Sequence, residues 1–143
     1  VSDGSYKPGI VGTAACLLAA DGQDKDCLKA LNLVPGWADD QSPYRSELTG
    51  IVGSLTLILA LCHSFDIQEG SVTLALDGEA AMKQAMVQAD KNIPLKVTQK
   101  HFDLLQVCRS HLCYGSCLFE LNGDGLKVIS VRKVLFPWIG GLR

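Results

Sequence analysis

The sequence predicts a mixed α/β domain, in which helices flank one five-stranded sheet of three antiparallel strands followed by two parallel strands. Two patterns lead to this prediction. Turn residues divide the first third of the chain into short β-prone segments, whereas apolar residues from Pro43 onward recur at helical spacing. Along the whole chain the two periods give the order β-β-β-α-β-α-α-β, which is typical of a sheet with helices packed on it.

The first third of the chain is predicted to form three strands, at residues 1–6, 10–20 and 27–34. Tight turns at Lys7-Pro8-Gly9 and Asp21-Gly22-Gln23-Asp24 join these strands. Because such short connections suit neighbouring antiparallel strands, the expected arrangement is a meander.

The first helix is predicted to begin at Pro43, with Ser42 as its N-cap, and to extend to about Ser64. Apolar residues cover most of its circumference, so it should be central and largely buried. The two later helices supply the crossovers that parallel strands require. The remaining elements are a strand at 71–76, helices at 79–89 and 102–112, and short strands at 117–121 and 126–131.

Composition limits the classes of protein to which the chain can belong. Its 143 residues, 48% of them apolar, suit a single domain over residues 1–143 and exclude a disordered or fibrous chain. The 13 basic and 15 acidic residues leave a formal charge of −2. Bulk charge therefore cannot attract nucleic acid, and a polyanionic partner would need a local basic patch or metal ions.

An intracellular, monomeric domain is expected, in the cytoplasm or the nucleus. The longest apolar run, residues 48–61, is shorter than the roughly 20 residues of a membrane span, so no membrane partner is predicted. The chain starts within apparent strand sequence, as an excised domain would, and its first residues do not resemble a signal peptide. Single cysteines in apolar stretches are typical of reduced thiols, and they occur at Cys16, Cys27 and Cys62.

Four other residues, Cys108, His111, Cys113 and Cys117, are close enough in sequence to suggest zinc. Their spacing, C-x2-H-x-C-x3-C, differs from the common structural zinc patterns. On a helix, Cys108 and His111 share a face, whereas Cys113 turns away from them. Packing in the core is therefore preferred over zinc binding for these residues.

Three acidic residues lie among apolar or small neighbours, where an unpaired carboxylate is costly. Asp3 is on the first strand, Glu47 is one turn into the apolar helix, and Asp77 ends the strand after that helix. Taken singly, each is an ordinary turn, helix-start or strand-end residue. Together they can converge at one edge of the sheet, where oxygen-rich clusters suit Mg2+ or Mn2+.

The segments that carry these carboxylates resemble the motifs of ribonuclease H type 1. The chain has D-G-S from Asp3, R-x-E-L from Arg45, and an apolar strand that ends at Asp77. A fourth segment, which begins at Phe102 and reads F-D-L-L-Q, resembles the D-L-x-Q start of a later helix in that family. The likeness covers residues 1 to about 112 and is closest to the ribonuclease H domains of retrotransposon reverse transcriptases.

The resemblance implies a ribonuclease H-like fold and an endonuclease that hydrolyses the RNA strand of RNA–DNA hybrids with two Mg2+ or Mn2+ ions. Asp3 would bridge both ions, and Glu47 and Asp77 would each complete one. A linked reverse transcriptase domain is a further expected partner. The residues expected to meet sugar or phosphate, or to remain at a solvated surface, are Gly4, Ser5, Arg45, Ser46 and Gln84. The lysines that could follow the DNA strand, or simply form a solvated face, are Lys83, Lys91, Lys96 and Lys100.

The sequence also departs from the family pattern. Gly78 stands where the family usually has Ser, and Tyr44 replaces a common polar residue. From about residue 117 the segment is atypical, because no Asp, Glu or His follows Asp124, whereas the family has a His-bearing loop and a fourth metal-binding Asp. Asp124 could supply that carboxylate, although Asn122-Gly123-Asp124-Gly125 reads more simply as a turn. The alternative function is a weak or silent module that binds hybrid or supports a polymerase domain.

Overall fold

The structure is a computed structural model that describes residues 1–19, 27–67, 71–76, 78–88, 92–114 and 127–132. Several sequence predictions fall outside these residues. They are the strand at 117–121, the carboxylates Asp77 and Asp124, and Lys91 and Cys117.

The domain is mixed α/β, as predicted, and its first sheet is a three-stranded antiparallel meander. The strands are β1 (Ser2–Ser5), β2 (Thr13–Ala19) and β3 (Cys27–Leu33), in the spatial order β1-β2-β3. The register pairs Asp3 with Ala15 and Ala15 with Leu31. Residues directly opposite in a ladder share a face of the sheet, so these three lie on one face.

The long helix α1 (Pro43–Ser64) confirms the predicted boundaries. Pro43 is its first residue, and the Ser42 hydroxyl accepts a hydrogen bond from the Arg45 backbone N–H at 3.1 Å. This N-cap satisfies one of the N–H groups that a helix start leaves without a partner. Helix α1 packs across β1, β2 and β3 on one side and against the two later helices on the other.

The main hydrophobic core lies between α1 and the elements that follow it. These elements are β4 (Ser71–Leu76), α2 (Glu79–Val87) and α3 (Phe102–Tyr114), close to the predicted ranges. Burial of aliphatic side chains at their interface is the main favourable contribution to the fold. The most deeply buried members of this core are Leu48, Ile51, Met82, Leu105 and Cys108.

The last strand, β5 (Lys127–Arg132), departs from the predicted parallel pair, because it runs antiparallel to β4. Leu76 at the end of β4 pairs with Lys127 at the start of β5. Since β5 starts at the carboxyl end of β4, it can only run back along that strand, whereas a parallel strand would have to start at the other end. The prediction of two parallel strands is therefore wrong for this pair.

Strand β4 lies in contact with β1, but the two sets of strands remain separate ladders. Within the residues that the structure describes, the hydrogen-bonded sheets are β1-β2-β3 and β4-β5. One continuous five-stranded sheet is thus not formed by these residues.

Helix α1 is also long and apolar enough to cross a membrane when judged by length and composition alone. Its most apolar 18-residue window has a mean hydropathy of 1.4, and half of that window is buried inside the domain. Core helices of soluble proteins pass the same test.

Four of the cysteines in the described part of the chain are free thiols, among them the three singled out in the sequence. Cys16, Cys62 and Cys108 are buried, and Cys27 is half-buried. Burial raises the pKa of the Cys62 thiol. Cys108 packs in the core, and His111 lies 2.9 Å from the Thr56 hydroxyl through Nε2. Core packing is therefore confirmed for Cys108, and no cluster of three metal-ligating side chains occurs among the described residues.

Candidate functional site

The backbone of β1 lies directly against the start of α1, and glycine makes this contact possible. A Cβ atom added at Gly4 would lie 2.8 Å from the Cα atom of Glu47 and still closer to the Glu47 backbone nitrogen. Because these are backbone atoms, a side chain at position 4 could be accommodated only by moving the strand away from the helix. Asp3 therefore directly precedes, in sequence, the residue that contacts the Glu47 backbone.

The Glu47 side chain reaches the chain segment that follows β4. A Cβ atom added at Gly78 would lie 3.1 Å from the Glu47 Cγ atom and closer still to its carboxylate. Gly78 is buried, so the Glu47 carboxylate lies against the residue next to Asp77. Gly78, which has no side chain, leaves room for this carboxylate.

The Asp3 side chain points away from α1. Gly4 faces the helix, and side chains alternate along a strand, so Asp3 belongs to the opposite face with Ala15 and Leu31. Asp3 is exposed on that face. The two described carboxylates therefore approach the contact between β1 and α1 from different sides.

Asp3 and Glu47 are suitable donors for a hard divalent cation, because Mg2+ and Mn2+ prefer carboxylate oxygens. The third predicted ligand, Asp77, lies outside the described residues, as does Asp124. The described part of the predicted metal centre therefore consists of Asp3, Glu47 and the neighbouring glycines Gly4 and Gly78.

Arg45 and Ser46 are buried and do not reach the surface where a substrate would lie. The Arg45 Nε–H donates to the Pro35 carbonyl at 2.6 Å, and its two terminal nitrogens bond both carboxylate oxygens of Asp103. Ser46 is fully buried, and its hydroxyl donates to the Ser42 carbonyl at 3.2 Å. The prediction that these two side chains contact substrate is thus not supported, because protein groups surround them.

The partner of Arg45 is a residue that sequence reasoning quoted but did not assign. Asp103 belongs to the F-D-L-L-Q segment at the start of α3, and its side chain is 58% exposed whereas that of Arg45 is 4% exposed. The bidentate geometry is the strongest form of the arginine–carboxylate interaction. This ion pair fastens the first turn of α1 to the first turn of α3.

His101 is a second residue that sequence reasoning missed. It is buried, has a positive φ of 61°, and its Nδ1 lies 3.1 Å from an Arg45 terminal nitrogen. Because the guanidinium can only donate, Nδ1 accepts and the proton of the neutral ring is on Nε2. The ring stacks on Tyr44 with centroids 5.1 Å apart. A histidine directly before an acidic helix start was the only sequence signal for this contact.

The pKa values of this cluster follow from burial and charge. Burial lowers the pKa of His101, and the neighbouring Arg45 charge lowers it further. The hydrogen bond from Arg45 lowers the pKa of Asp103. Burial raises the pKa of Tyr44, and the negative charge of Glu47 adds to that rise. Tyr44 therefore lies between Glu47, whose charge affects its pKa, and His101, on which its ring stacks.

A groove of about 710 Å3 runs between the start of α1, the outer face of α2 and the loop before α3. Lys83 and Lys100 line it, and Gln84 accepts a hydrogen bond from Gln99 at 3.3 Å within it. Lys83 also forms an ion pair with Glu79 at 2.8 Å, and both side chains are more than half exposed. Lys96 is exposed in the loop after α2.

Comparisons of this chain with protein-family models, with curated proteins and with solved structures gave no significant match.

Proposed function

We propose that this domain is a metal-dependent endoribonuclease of the ribonuclease H type, which hydrolyses the RNA strand of RNA–DNA hybrids. The observation that carries the proposal is the meeting of three chain segments at Glu47. Gly4, next to Asp3, packs on the Glu47 backbone, and Gly78, next to Asp77, packs on its carboxylate. The segments that carry Asp3 and Glu47 are thus in contact, and Gly78, which follows Asp77 in the sequence, lies against the Glu47 carboxylate.

The groove beside Glu47 adds support from charge. Its walls include the first turn of α1 and the residues of α2 that follow Gly78, so it starts within about one helical turn of Glu47 and Gly78. Lys100 gives it positive charge in a chain whose net charge is −2, and Lys83 adds a cationic side chain that is ion-paired with the exposed Glu79. A local cationic groove is what a near-neutral domain needs to hold a phosphate backbone.

Asp3 and Glu47 offer carboxylate oxygens, which are the donors that the proposed cofactor prefers. Asp3, Glu47 and Asp77 would hold two Mg2+ or Mn2+ ions, which supply activation of the attacking water and charge stabilisation of the leaving oxygen. Lys83, Lys100 and Gln84 would position the hybrid by its backbone. Arg45 acts at a distance, because its ion pair with Asp103 fixes the helix turn that carries Glu47.

A catalytically silent relative that binds hybrid, or that supports a linked reverse transcriptase domain, is the second candidate. Two observations favour it. Strand β5 runs antiparallel to β4, unlike the parallel pair that the resemblance implies, and no Asp, Glu or His follows Asp124. In this candidate the groove with Lys83 and Lys100 still binds the hybrid.

Cleavage of an end-labelled RNA–DNA hybrid distinguishes the two candidates. We expect the full chain to cut the RNA strand only when a divalent cation is present, and Asp3→Asn to abolish cutting because it removes a metal-binding oxygen. Asp39→Asn is the matched control, since Asp39 is an exposed aspartate in the turn before α1.

Each outcome decides between the two functions. Hybrid binding without cleavage at any divalent cation supports the silent module. Cleavage that survives Asp3→Asn would show that the activity belongs to another site. Loss of binding in a Lys83→Gln, Lys100→Gln double variant would assign the groove to the hybrid in either case.

A further inference from the structure

Strand β3 forms the outer edge of the first sheet, and the direction of its backbone groups follows from the register. Among the described residues, β3 pairs with β2 along one side and with no strand along the other. The Val34 backbone N–H donates to the Gly12 carbonyl at 2.8 Å, in register with the β2–β3 ladder. Because hydrogen-bonded and non-hydrogen-bonded pairs alternate in an antiparallel ladder, Leu28, Ala30 and Asn32 direct their backbone groups toward β2.

The residues between them direct their backbone N–H and C=O groups outward, at the edge of the sheet. These residues are Lys29, Leu31 and Leu33. Leu31 and Leu33 are 72% and 71% exposed on the open face of the sheet, opposite α1, and Leu28 is 48% exposed on the other face. The described edge thus combines outward-facing hydrogen-bonding groups with exposed leucines on both faces of the strand.

Strand β3 lacks the features by which sheet edges usually avoid pairing. Natural edges are protected by proline, by bulges, by several charged side chains or by very short strands. Strand β3 has seven residues in continuous register with β2, no proline, and Lys29 as its only charged side chain. A flat, apolar edge of this length is a template for another strand.

The sequence of β3 is complementary to its own copy. When two β3 strands run antiparallel about a two-fold axis at Ala30, Leu31 lies opposite the partner's Lys29. The two lysines are not directly opposite each other, and their aliphatic stems can cover the leucines. The outward N–H and C=O groups of each copy then meet those of the other. Such a symmetric pair closes after two chains, which makes it the commonest form of association.

We infer that two copies of this domain associate weakly by antiparallel pairing of their β3 strands, which joins the two sheets into one of six strands. Helix α1 packs mainly on β1 and β2, away from this edge. Asp3 lies on β1, two strands from the edge, so the cleft beside it stays accessible. The inference goes beyond the proposed nuclease activity and holds whether or not the domain cuts a hybrid.

The association should be weak, because a single pair of strands buries little surface. Seven residues give an edge about 24 Å long, and a sheet with its side chains is about 10 Å thick, so each copy covers a strip of about 240 Å2. A typical stable complex buries about 800 Å2 per partner. A dissociation constant of about 0.1–1 mM is therefore expected.

Amide hydrogen exchange measured by NMR tests the inference residue by residue. The N–H groups of Ala30 and Asn32 face β2 and should be protected at every protein concentration. Those of Lys29, Leu31 and Leu33 should exchange freely at about 20 µM and become severalfold more protected at about 1 mM. Analytical ultracentrifugation over the same range should show monomers that convert to dimers.

Variants at the edge should prevent the association. Leu31→Pro removes an outward-facing N–H only, and proline is tolerated in an edge strand at such a position. This variant should retain the circular dichroism of the parent chain and stay monomeric at about 1 mM. Leu33→Lys should also stay monomeric, because edge lysines oppose strand pairing, and it serves as the test if the proline variant does not fold.

Val97→Lys is the matched control for the added charge. Val97 is 77% exposed in the loop before α3, so the substitution replaces an equally exposed apolar residue away from the sheet edge. Val97→Lys should form dimers over the same concentration range as the parent chain.

Three outcomes would overturn the inference. A monomer at about 1 mM with a freely exchanging Leu31 amide would mean that the edge stays open. A monomer whose Leu31 amide is already protected at about 20 µM would mean that another segment of the same chain pairs with β3. Dimers that survive both Leu31→Pro and Leu33→Lys would use a different surface. None of these outcomes bears on hybrid cleavage, which is measured separately through Asp3.

Discussion

At the scale of single residues, glycine determines how closely the sheet and the first helix approach. Gly4 lets the β1 backbone touch the backbone of Ser46 and Glu47, whereas Gly50 on α1 leaves ordinary contact distance to Ser2. A Cβ atom at Gly50 would lie 3.4 Å from the Ser2 Cβ atom. The same substitution at these two glycines should therefore have opposite effects.

Gly4→Ala should destabilise the domain by about 1–3 kcal/mol, since the added methyl group overlaps backbone that can move only with the whole strand. Gly50→Ala is the control and should be neutral or stabilising by up to about 1 kcal/mol, because alanine is favoured over glycine within a helix. Urea unfolding followed by circular dichroism measures both values. Equal effects of the two substitutions would show that β1 does not rest on the Glu47 backbone.

The sequence predicted which residues would lie near one another better than it predicted which way they would face. Asp3 and Glu47 were expected together, and their segments do touch. Arg45 and Ser46 were expected at the surface, but they are buried. A helix that is apolar around most of its circumference has no clear outer face, so periodicity cannot tell which of its polar residues meet protein and which meet solvent.

At the scale of elements, the ion pair between Arg45 and Asp103 joins two helices that are far apart in sequence. Arg45 is buried, and its other partners are His101 and the Pro35 carbonyl. Removal of Asp103 would leave a buried positive charge with neutral partners only. Such a charge is costly, although the exposure of Asp103 allows water to replace part of the interaction.

Asp103→Asn should lower the free energy of unfolding by about 1–2 kcal/mol, which is below the value for a fully buried pair because the carboxylate is partly hydrated. Asp39→Asn, at an exposed aspartate, should change it by less than about 0.5 kcal/mol. Thermal or urea unfolding measures the difference. Equal small effects for both variants would mean that the pair does not hold α1 and α3 together.

The histidine in this cluster should make stability depend on pH. The folded-state pKa of His101 is below its ordinary value of 6.5, so the unfolded chain binds more protons in the interval between the two values. Stability is therefore complete above about pH 6.5 and falls as the pH decreases toward the folded-state pKa. Burial lowers the pKa of His111 in the same direction.

Urea unfolding at about pH 7 and about pH 5 should show a loss of stability that is smaller in His101→Asn, because asparagine has no proton to gain and tolerates positive φ. His111→Asn is the comparison variant and should remove only the contribution of the second histidine, which is half-buried. If His101→Asn kept the full pH dependence, the hydrogen bond from Arg45 to Nδ1 would not restrict protonation.

The order and the boundaries of the elements were largely predictable, whereas the direction of the last strand was not. Turn residues and the N-cap Ser42 define ends locally, and α1 begins and ends where predicted. Strand β5 was also located nearly correctly. Its direction depends on where the long connection from α3 brings the chain back to the sheet, and local sequence patterns do not record that path.

At the scale of the whole molecule, the proposed reaction draws on residues from three elements. The resemblance also implies a fourth oxygen donor, whereas residues 125–143 contain no Asp, Glu or His. Waters can complete the coordination of a bound ion, but its position would then be less well fixed. Misplacement of reacting groups by about 1 Å can reduce the rate by a factor of about 100.

We therefore expect little or no hybrid cleavage in Mg2+ and faster cleavage in Mn2+, measured with the same labelled hybrid at equal concentrations of each ion. Asp77→Asn should abolish whatever activity is found. Full ribonuclease H activity in Mg2+ would instead mean that another residue supplies the missing oxygen. Asp124→Asn would then be the informative variant, with Asp39→Asn again as the control.

The close contact between α1 and the sheet also predicts which positions can change when related sequences evolve from this chain. A Cβ atom at Gly4 would meet helix backbone, and one at Gly12 would lie 2.6 Å from the buried Ser46 hydroxyl. Asp3, in contrast, points to the open face, where substitution leaves packing intact. Sequences selected only for folding would therefore lose Asp3 but retain Gly4 and Gly12. Sequences selected for nuclease activity would retain Asp3 as well as the two glycines. The ratio of substitutions at Asp3 to those at Gly4 and Gly12 would thus report the selection under which the domain has evolved.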